Sequence, residues 1–344
     1  MRTINFIDPI DSPEWAQLVA SAPNAEIFHD PLWLELLRDE YGYEIGACCV
    51  RRDDRIEAAI PFAKIKSRLT GNRLVALPFS DQCPPILTAD AGLEALGLLG
   101  DALATHAKES HLDLTVHAAL QSVPGGHVKE RFVRHALTLP ADPDEAERGA
   151  SKSFRQSVRR ARREGLRVER REDAAGLDAF YRLHLQTRRR LGVPTQPKSF
   201  IDRFERIFAA GRGGVWLVYD AEEPVATGVF LTHGNTVTHK YGASAAAALP
   251  KCPNNLLMIE VIREYAARGF ARFEFGRCDL DNEGLRKFKR GMGAEELPLA
   301  YTYLTEPAPL GEPSLKERLM TTTIRRGPAV VGRLAGQVLY RHVG

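Results

Sequence analysis

The chain has 344 residues, 44% of them hydrophobic and 26% charged, which is enough for two α/β domains with sizeable cores. The formal net charge of only +3 excludes a molecule whose whole surface is built to bind polyanions. The five cysteines have no paired spacing, so neither a disulfide framework nor a metal site is predicted. The first residues lack the apolar stretch of a signal peptide, and no run is long and uncharged enough for a membrane span. We therefore expect a cytoplasmic protein.

Residues 1–148 predict an α/β domain of their own. A strand over 2–7 precedes helices 13–20 and 32–41, and each helix begins with a proline behind an N-cap residue, Ser12 or Asp30. Strands are predicted at 44–50, 55–65 and 74–77, then a helix at 92–108 and strands near 112–117 and 131–139. The acidic, proline-containing segment 140–149 is predicted to be a connector.

Residues 149–305 repeat this order: a strand, two helices, three strands, a helix and a strand. Turns at 222–224 and 233–235 separate three β-rich runs, and the helix that follows ends at Gly269. Residues 306–344 are predicted to be a basic extension that begins with the proline-rich linker EPAPLGEP. The extension could pack on the body, lie on an anionic surface as a peripheral contact, or stay mobile. Apolar residues such as Leu319, Ile324 and Leu334 favour packing.

The element order in the second half is typical of the GNAT acyltransferase core, and its sequence motifs indicate a narrower family. The segments 240–242 (KYG), 254–256 (NNL), 283–285 (EGL) and 288–289 (FK) resemble the Fem-type aminoacyltransferases and the related BioF2-like acyltransferases. The resemblance implies an α/β fold of tandem GNAT-like domains, each a mixed, mostly antiparallel sheet flanked by helices. It also implies an acyltransferase that forms an amide. The second domain lacks the long helical arm of some peptidoglycan-bridge enzymes, which argues against a cell-wall bridge role.

The loop before the long helix bears on the choice of donor. In GNAT enzymes the donor phosphates rest on backbone N–H groups at this helix N-terminus. The usual acyl-CoA loop contains glycines, but residues 245–255 contain none. Lys240, Lys251, Asn254 and Asn255 are candidate donor-binding residues, and plain helix capping is an equally good explanation of the two asparagines.

The motif at 277–289 supplies the candidate catalytic residues. Attack of an amine on an ester or thioester places negative charge on the carbonyl oxygen and on the leaving group, which a cation stabilises. Lys289 is the candidate cation, and Phe288 offers a face for stacking. The alternative places Phe288 in the core and Lys289 in solvent. Arg277 and Glu283 are candidate substrate-binding residues.

No recognisable pair supplies a general base. The residues near the predicted site that could accept a proton are His239, Tyr241, Asp279, Asp281 and Glu283, and of these Tyr241 and Asp279 are the named candidates. In Fem-like enzymes the substrate itself can manage much of the proton transfer, so the resemblance does not require a dedicated base.

The segment 151–172 is rich in arginine. Arg155, Arg159 and Arg163 lie on a helix whose charge suits a phosphate backbone or a phosphorylated carrier. A solvated helix, partly neutralised by the acidic connector, explains the same pattern.

Three functions remain open from the sequence. The first is transfer of an aminoacyl or acyl group, with aminoacyl-tRNA as co-substrate, to an amine acceptor. The second is an acyl-CoA-dependent N-acetyltransferase for envelope polysaccharide or a secondary metabolite. The third is a nucleic-acid-binding module on an inactive GNAT scaffold. No resident cofactor is predicted.

Overall fold

The computed structural model describes residues 1–307 and 314–342, which contain thirteen strands and twelve α-helices. The strands are β1 (Arg2–Ile7), β2 (Glu44–Arg52), β3 (Arg55–Ile65), β4 (Arg73–Ala76), β5 (Ile86–Leu87), β6 (Asp113–Val116), β7 (His127–Thr138), β8 (Arg167–Arg171), β9 (Gly213–Asp220), β10 (Glu223–His233), β11 (Thr236–Ser244), β12 (Arg272–Asp279) and β13 (Glu295–Tyr303). The helices are α1 (Pro13–Ser21), α2 (Pro31–Tyr41), α3 (Leu93–Glu109), α4 (Pro143–Gly149), α5 (Lys152–Arg163), α6 (Ala174–Leu191), α7 (Lys198–Asp202), α8 (Phe204–Ala209), α9 (Pro253–Ala267), α10 (Glu283–Gly291), α11 (Leu315–Arg326) and α12 (Ala329–Leu339). The predicted α/β class with mostly antiparallel sheets and flanking helices is confirmed.

The chain forms two compact units. Unit 1 comprises Met1–Val133, Pro298–Leu310 and Tyr340–Gly344, and unit 2 comprises Arg134–Leu297 and Gly311–Leu339. The predicted division at residue 148 lies inside unit 2. The segment predicted to be a connector is in fact helical from Pro143, because Asp142 caps the amide of Asp144 and α4 packs against α9.

Unit 1 is a mixed sheet with helices. The strand order is β1-β2-β3-β4-β6-β13, in which β1 to β4 are antiparallel neighbours and β4 pairs with β6 in parallel. The predicted caps of α1 and α2 are present, since Ser12 accepts from the amide of Trp15 and Asp30 from that of Leu32. The core contains the fully buried Trp15 and Trp33.

Unit 2 contains the strand order β7-β12-β11-β10-β9-β8. Residues 213–218 of β9 are all buried, and successive side chains of a strand point to opposite faces, so both faces of this sheet are covered. Helix α9 covers one face, in a core cluster that includes Trp216, Phe230 and Phe273. Helix α6 also packs on β9, β10 and β11, which places it on the other face.

The C-terminal extension packs on unit 2. Helices α11 and α12 both contact α6, and Ile324 is buried. The amide of Thr195 donates to the carbonyl of Gly332, and a Cβ at Gly336 would lie 1.7 Å from the Thr195 carbonyl oxygen. The two glycines therefore allow a close approach of backbones. Most of the predicted linker, residues 308–313, lies outside the described residues. Within the described ranges, no helix has both the length and the apolar character to cross a membrane.

Candidate active site

A cavity of about 410 Å³ lies in unit 2, and we call it the reaction cavity. Its walls come from α6, β10, β11, α9 and α10. Polar groups interrupt a largely apolar surface, which is the usual character of a small-molecule site. The lining residues are Thr187, Arg190, Thr227, His239, Gly242, Ala243, Ser244, Asn254, Leu257, Met258, Gly284, Leu285 and Phe288.

The reaction cavity lies at the end of β11, beyond its paired segment with β12. Within the described part of the chain, β11 pairs in parallel with β12 between residues 236–238 and 272–274, whereas β11 continues to Ser244 and β12 to Asp279. A bulge between Val229 and Phe230 of β10 shifts the register opposite Lys240, which is the extra residue on β11. Beyond the paired segment, the end of β11 and the helix that follows β12 form two walls of the cavity.

The N-terminus of α9 divides two cavities. Cys252, with φ of 59°, precedes the helix, Pro253 is its first residue, and no side chain caps this end. The two asparagines therefore do not cap the helix. Instead Asn254 lines the reaction cavity, where its Nδ2 lies 3.4 Å from Ser244 Oγ, and Asn255 lines the second cavity.

The second cavity, about 470 Å³ in volume, carries three serine hydroxyls, and we call it the hydroxyl cavity. It shares Gly284 and Phe288 with the reaction cavity. The N-cap residue of α5, Ser151, lies at its wall, so the positive end of that helix dipole is close by. The lining residues are Ser151, Ser153, Phe154, Ser157, Asn255, Gly284, Lys287, Phe288, Arg290 and Gly291. This combination favours phosphate oxygens.

The geometry of His239 defines its tautomer. Its Nε2 lies 3.1 Å from the carbonyl oxygen of Tyr241, and its ring stacks on Phe230 at 4.8 Å. Because a carbonyl only accepts hydrogen bonds, Nε2 carries the hydrogen in the neutral ring, and Nδ1 is then a proton acceptor. His239 is thus the imidazole of the reaction cavity, a residue that sequence reasoning did not select.

Lys289 lies beside the site without lining either cavity. It is 4% exposed, and its Nζ donates to the carbonyl oxygens of Gly276, at 2.9 Å, and Arg277, at 3.2 Å. The Arg277 side chain is exposed, as is Asp279 at the end of β12. The bonded ammonium ties α10 to β12 and so fixes the position of the neighbouring Phe288.

An ion-pair network fixes the other side of α10. Glu283 pairs with Arg286 and Arg290, and both arginines also pair with Glu296 of β13. The hydrogen bond from Arg286 lowers the pKa of Glu296 to about 2. Glu283 therefore contributes to the anchoring of α10 and does not line either cavity.

The remaining sequence candidates near β11 lie outside the cavity linings. Lys240 extends over the ring of Tyr241, with Nζ 5.3 Å from the ring centroid, and Tyr241 is half-buried beside His184. Lys251 forms an ion pair with Asp220 at 2.5 Å, and that hydrogen bond raises the pKa of the lysine. The side chain of Lys251 thus has a carboxylate partner already.

The arginine-rich helix α5 contributes Ser153 and Ser157 to the lining of the hydroxyl cavity. Arg155 donates to the carbonyl oxygens of Arg148 and Ala150, which satisfies the end of α4. Arg159 and Arg163 are exposed, and no recorded ion pair within the described residues involves them. Both therefore remain available to a polyanion.

Burial suppresses protonation of His184 behind the reaction cavity. Desolvation lowers its pKa from 6.5 to about 4, although the hydrogen bond to Gln196 Oε1 at 2.7 Å acts in the opposite direction. The unfolded chain takes up this proton below about pH 6.5, but the folded protein does so only near pH 4. The contribution of His184 therefore makes folding less favourable as the pH falls from 6.5 towards 4.

Several cavity residues escaped sequence reasoning. Thr187 exchanges hydrogen bonds with the backbone of Ser244, and Arg190 donates to the same carbonyl at 2.9 Å. Arg190 belongs to a triplet at the end of a helix, a position that the helix dipole explains by itself. Ser151, Ser153 and Ser157 were not selected because the many arginines of the same segment suggested a charged helix.

Residues 148–290 match the family model of the acetyltransferase (GNAT) domain. This stretch of unit 2 is therefore similar in sequence to GNAT acetyltransferase domains. The fold of the chain is similar to the solved structure of FemX, with TM-score 0.69 and 17% identity over 88% of this chain and 97% of FemX. It is also similar to L-PGS from Bacillus licheniformis (TM-score 0.56, 16% identity, 92% of this chain and 98% of that chain). A tandem GNAT protein from the clavulanic acid biosynthesis pathway gives TM-score 0.53 and 13% identity, over 90% of this chain and 100% of that one.

These likenesses establish a Fem-type GNAT fold, as the sequence motifs predicted. No curated protein sequence is significantly similar to this chain. A GNAT domain on this fold supports acyl transfer in general terms.

Proposed function

We propose that this protein is a cytoplasmic acyltransferase that forms an amide by moving an aminoacyl or acyl group onto an amine. The observation that carries the proposal is the reaction cavity at the end of β11, next to the uncapped N-terminus of α9. The hydroxyl cavity shares two lining residues with it, so one donor molecule can occupy both. Its phosphates would lie among Ser151, Ser153 and Lys287, and its acyl carbonyl would lie in the reaction cavity.

The reaction is nucleophilic substitution at the acyl carbon. The amine nitrogen attacks the carbonyl, a C–N bond forms, and the bond from carbon to the donor's oxygen or sulfur breaks. Asn254 and Arg190 present N–H donors in the same cavity, where they can stabilise the negative charge that develops. The apolar residues Leu257, Met258 and Leu285 line the same cavity.

His239 is the proposed proton acceptor. Its Nδ1 takes the proton that the amine loses and gives it to the leaving oxygen or sulfur as the donor departs, which returns the ring to its neutral form. We assign Lys289 a positioning role, because its ammonium binds the Gly276 and Arg277 carbonyls and does not line the cavity. Tyr241 contributes the carbonyl that orients His239.

The first candidate donor is aminoacyl-tRNA. The exposed Arg159 and Arg163 lie on α5, whose N-terminal turn lines the hydroxyl cavity, and the loop 245–255 lacks the glycines of a CoA cradle. Arginines on one element neutralise successive phosphates of a nucleic-acid backbone. This arrangement favours a donor with a polyanionic body beyond its reactive end.

Acetyl-CoA is the second candidate, because the matching family model is an acetyltransferase and the tandem GNAT relative is described with reference to AcCoA. The deciding experiment titrates the purified protein with acetyl-CoA and with bulk aminoacylated tRNA at two salt concentrations. Salt-sensitive tRNA binding without CoA binding supports the first donor. Saturable CoA binding alone replaces it with the second. Binding of deacylated and aminoacylated tRNA with equal affinity, without transfer to any amine, would favour a binding module on an inactive scaffold.

A further inference from the structure

Helix α12 presents an apolar row to solvent although it is firmly packed. Val330, Leu334 and Val338 recur every four residues and are 42%, 53% and 59% exposed. The opposite face carries Gly332 and Gly336, which lie against the backbone of Thr195. The helix is therefore held in place by one face while the other stays bare.

Helix α11 repeats the pattern. Leu315 and Leu319 are 83% and 66% exposed, whereas Ile324 is buried. Across α11 and α12 the charged residues are strongly biased towards cations, with Glu317 as the acidic member. The cations are Lys316, Arg318, Arg325, Arg326 and Arg333. Exposed apolar rows next to cationic side chains are the pattern of helices that lie in a membrane interface.

A third cavity, about 520 Å³ in volume, lies where α6 meets the extension, and we call it the arginine cavity. Its residues include four arginines and no carboxylate. They are Arg182, Leu185, Gln186, Arg189, Arg190, Ala246, Arg325 and Ala329. Among the described residues, no recorded ion pair involves Arg182, Arg189 or Arg325. Forked guanidinium groups without carboxylate partners suit phosphate oxygens.

We infer that α11 and α12, together with the arginine cavity, form a docking surface for an anionic lipid bilayer. The apolar rows enter the boundary between headgroups and acyl chains, and the arginines bind the headgroup phosphates. A second copy of this chain fits poorly, because a two-fold contact would place one cationic surface against another. This surface does not depend on the transfer reaction proposed above.

The test is co-sedimentation with vesicles of phosphatidylcholine alone and of phosphatidylcholine mixed with phosphatidylglycerol. The parent protein should sediment with the mixed vesicles only. Each cation near an anionic surface changes the affinity about fivefold, so the double variant Arg189→Glu/Arg325→Glu should lose at least about 25-fold. Leu334→Asp should also release the protein. Leu93→Asp is the matched control, since Leu93 is 87% exposed on α3 and should leave binding unchanged.

Four results would overturn the inference. They are equal sedimentation with both kinds of vesicle, sedimentation with neither, loss of binding in Leu93→Asp, and full binding by Leu334→Asp. Circular dichroism of each variant checks that it is folded. Light scattering tests the alternative that a second copy of this chain binds the surface. A dimer that Leu334→Asp converts to monomers would assign the surface to a second copy instead.

Discussion

Gly284 offers the sharpest perturbation of the site. It lies in the first turn of α10 and lines both the reaction cavity and the hydroxyl cavity. A Cβ at this position would meet nothing closer than Asn282 Oδ1 at 4.0 Å, so a side chain fits the fold. Glycine costs a helix about 1 kcal/mol relative to alanine and phenylalanine about half of that, so Gly284→Phe should raise stability by about 0.5 kcal/mol. The new ring would project from a residue that lines both cavities and would take up space in them.

The assay is titration of parent and variant with acetyl-CoA and with bulk aminoacylated tRNA. Gly284→Phe should weaken binding of the donor by at least about tenfold, or 1.4 kcal/mol, while the urea midpoint does not fall. Gly97→Phe is the matched control, because Gly97 lies in α3 and a Cβ there meets nothing within 4 Å. Unchanged donor binding in Gly284→Phe would refute the reasoning. A loss of stability would show instead that the fold itself requires this glycine.

Three further predictions concern single side chains. His239→Gln should lower turnover with an amine acceptor by about 10²–10⁴ without changing donor binding, and unchanged turnover would remove His239 as the proton acceptor. Lys289→Met should reduce the free energy of unfolding in urea by about 1–3 kcal/mol, because two part-buried carbonyls lose the donor of a buried ammonium; an equally stable variant would contradict the positioning role. As the pH falls from 7.5 to 5, the unfolded chain protonates His184, whereas the pKa of about 4 keeps the residue neutral in the folded protein. Over this range the parent should therefore lose about 2 kcal/mol more stability than His184→Gln. Parallel pH profiles of parent and variant would show that His184 does not titrate as proposed.

Local signals in the sequence were sufficient for most of the fold. The turns at 222–224 and 233–235 separate β9, β10 and β11 as predicted, and the prolines behind Ser12 and Asp30 mark the starts of α1 and α2. The helix α4 was missed because its acidic, proline-containing sequence is also typical of a connector. The predicted boundary at residue 148 followed the change in composition, whereas unit 2 begins at Arg134, inside strand β7.

The candidate site was only partly predictable. Phe288, Asn254 and Asn255 belong to the sequence motifs at 288–289 and 254–256, and all three line a cavity. Ser151 and Arg190 lie far apart in sequence and reach the site only through the packing of α5 and α6, which a single sequence does not encode locally. The side chain of Lys251 was a candidate for a donor anion, but its partner Asp220 is 31 positions away along the chain. Such pairings depend on tertiary structure.

The most direct test of the central claim is hydrogen–deuterium exchange with and without saturating donor, using whichever of acetyl-CoA and aminoacylated tRNA the protein binds. The donor should protect the segments 239–244, 254–258 and 284–288, which contain lining residues of the reaction cavity. Protection confined to other segments, or no change at saturation, would contradict the assignment of this cavity as the site of acyl transfer.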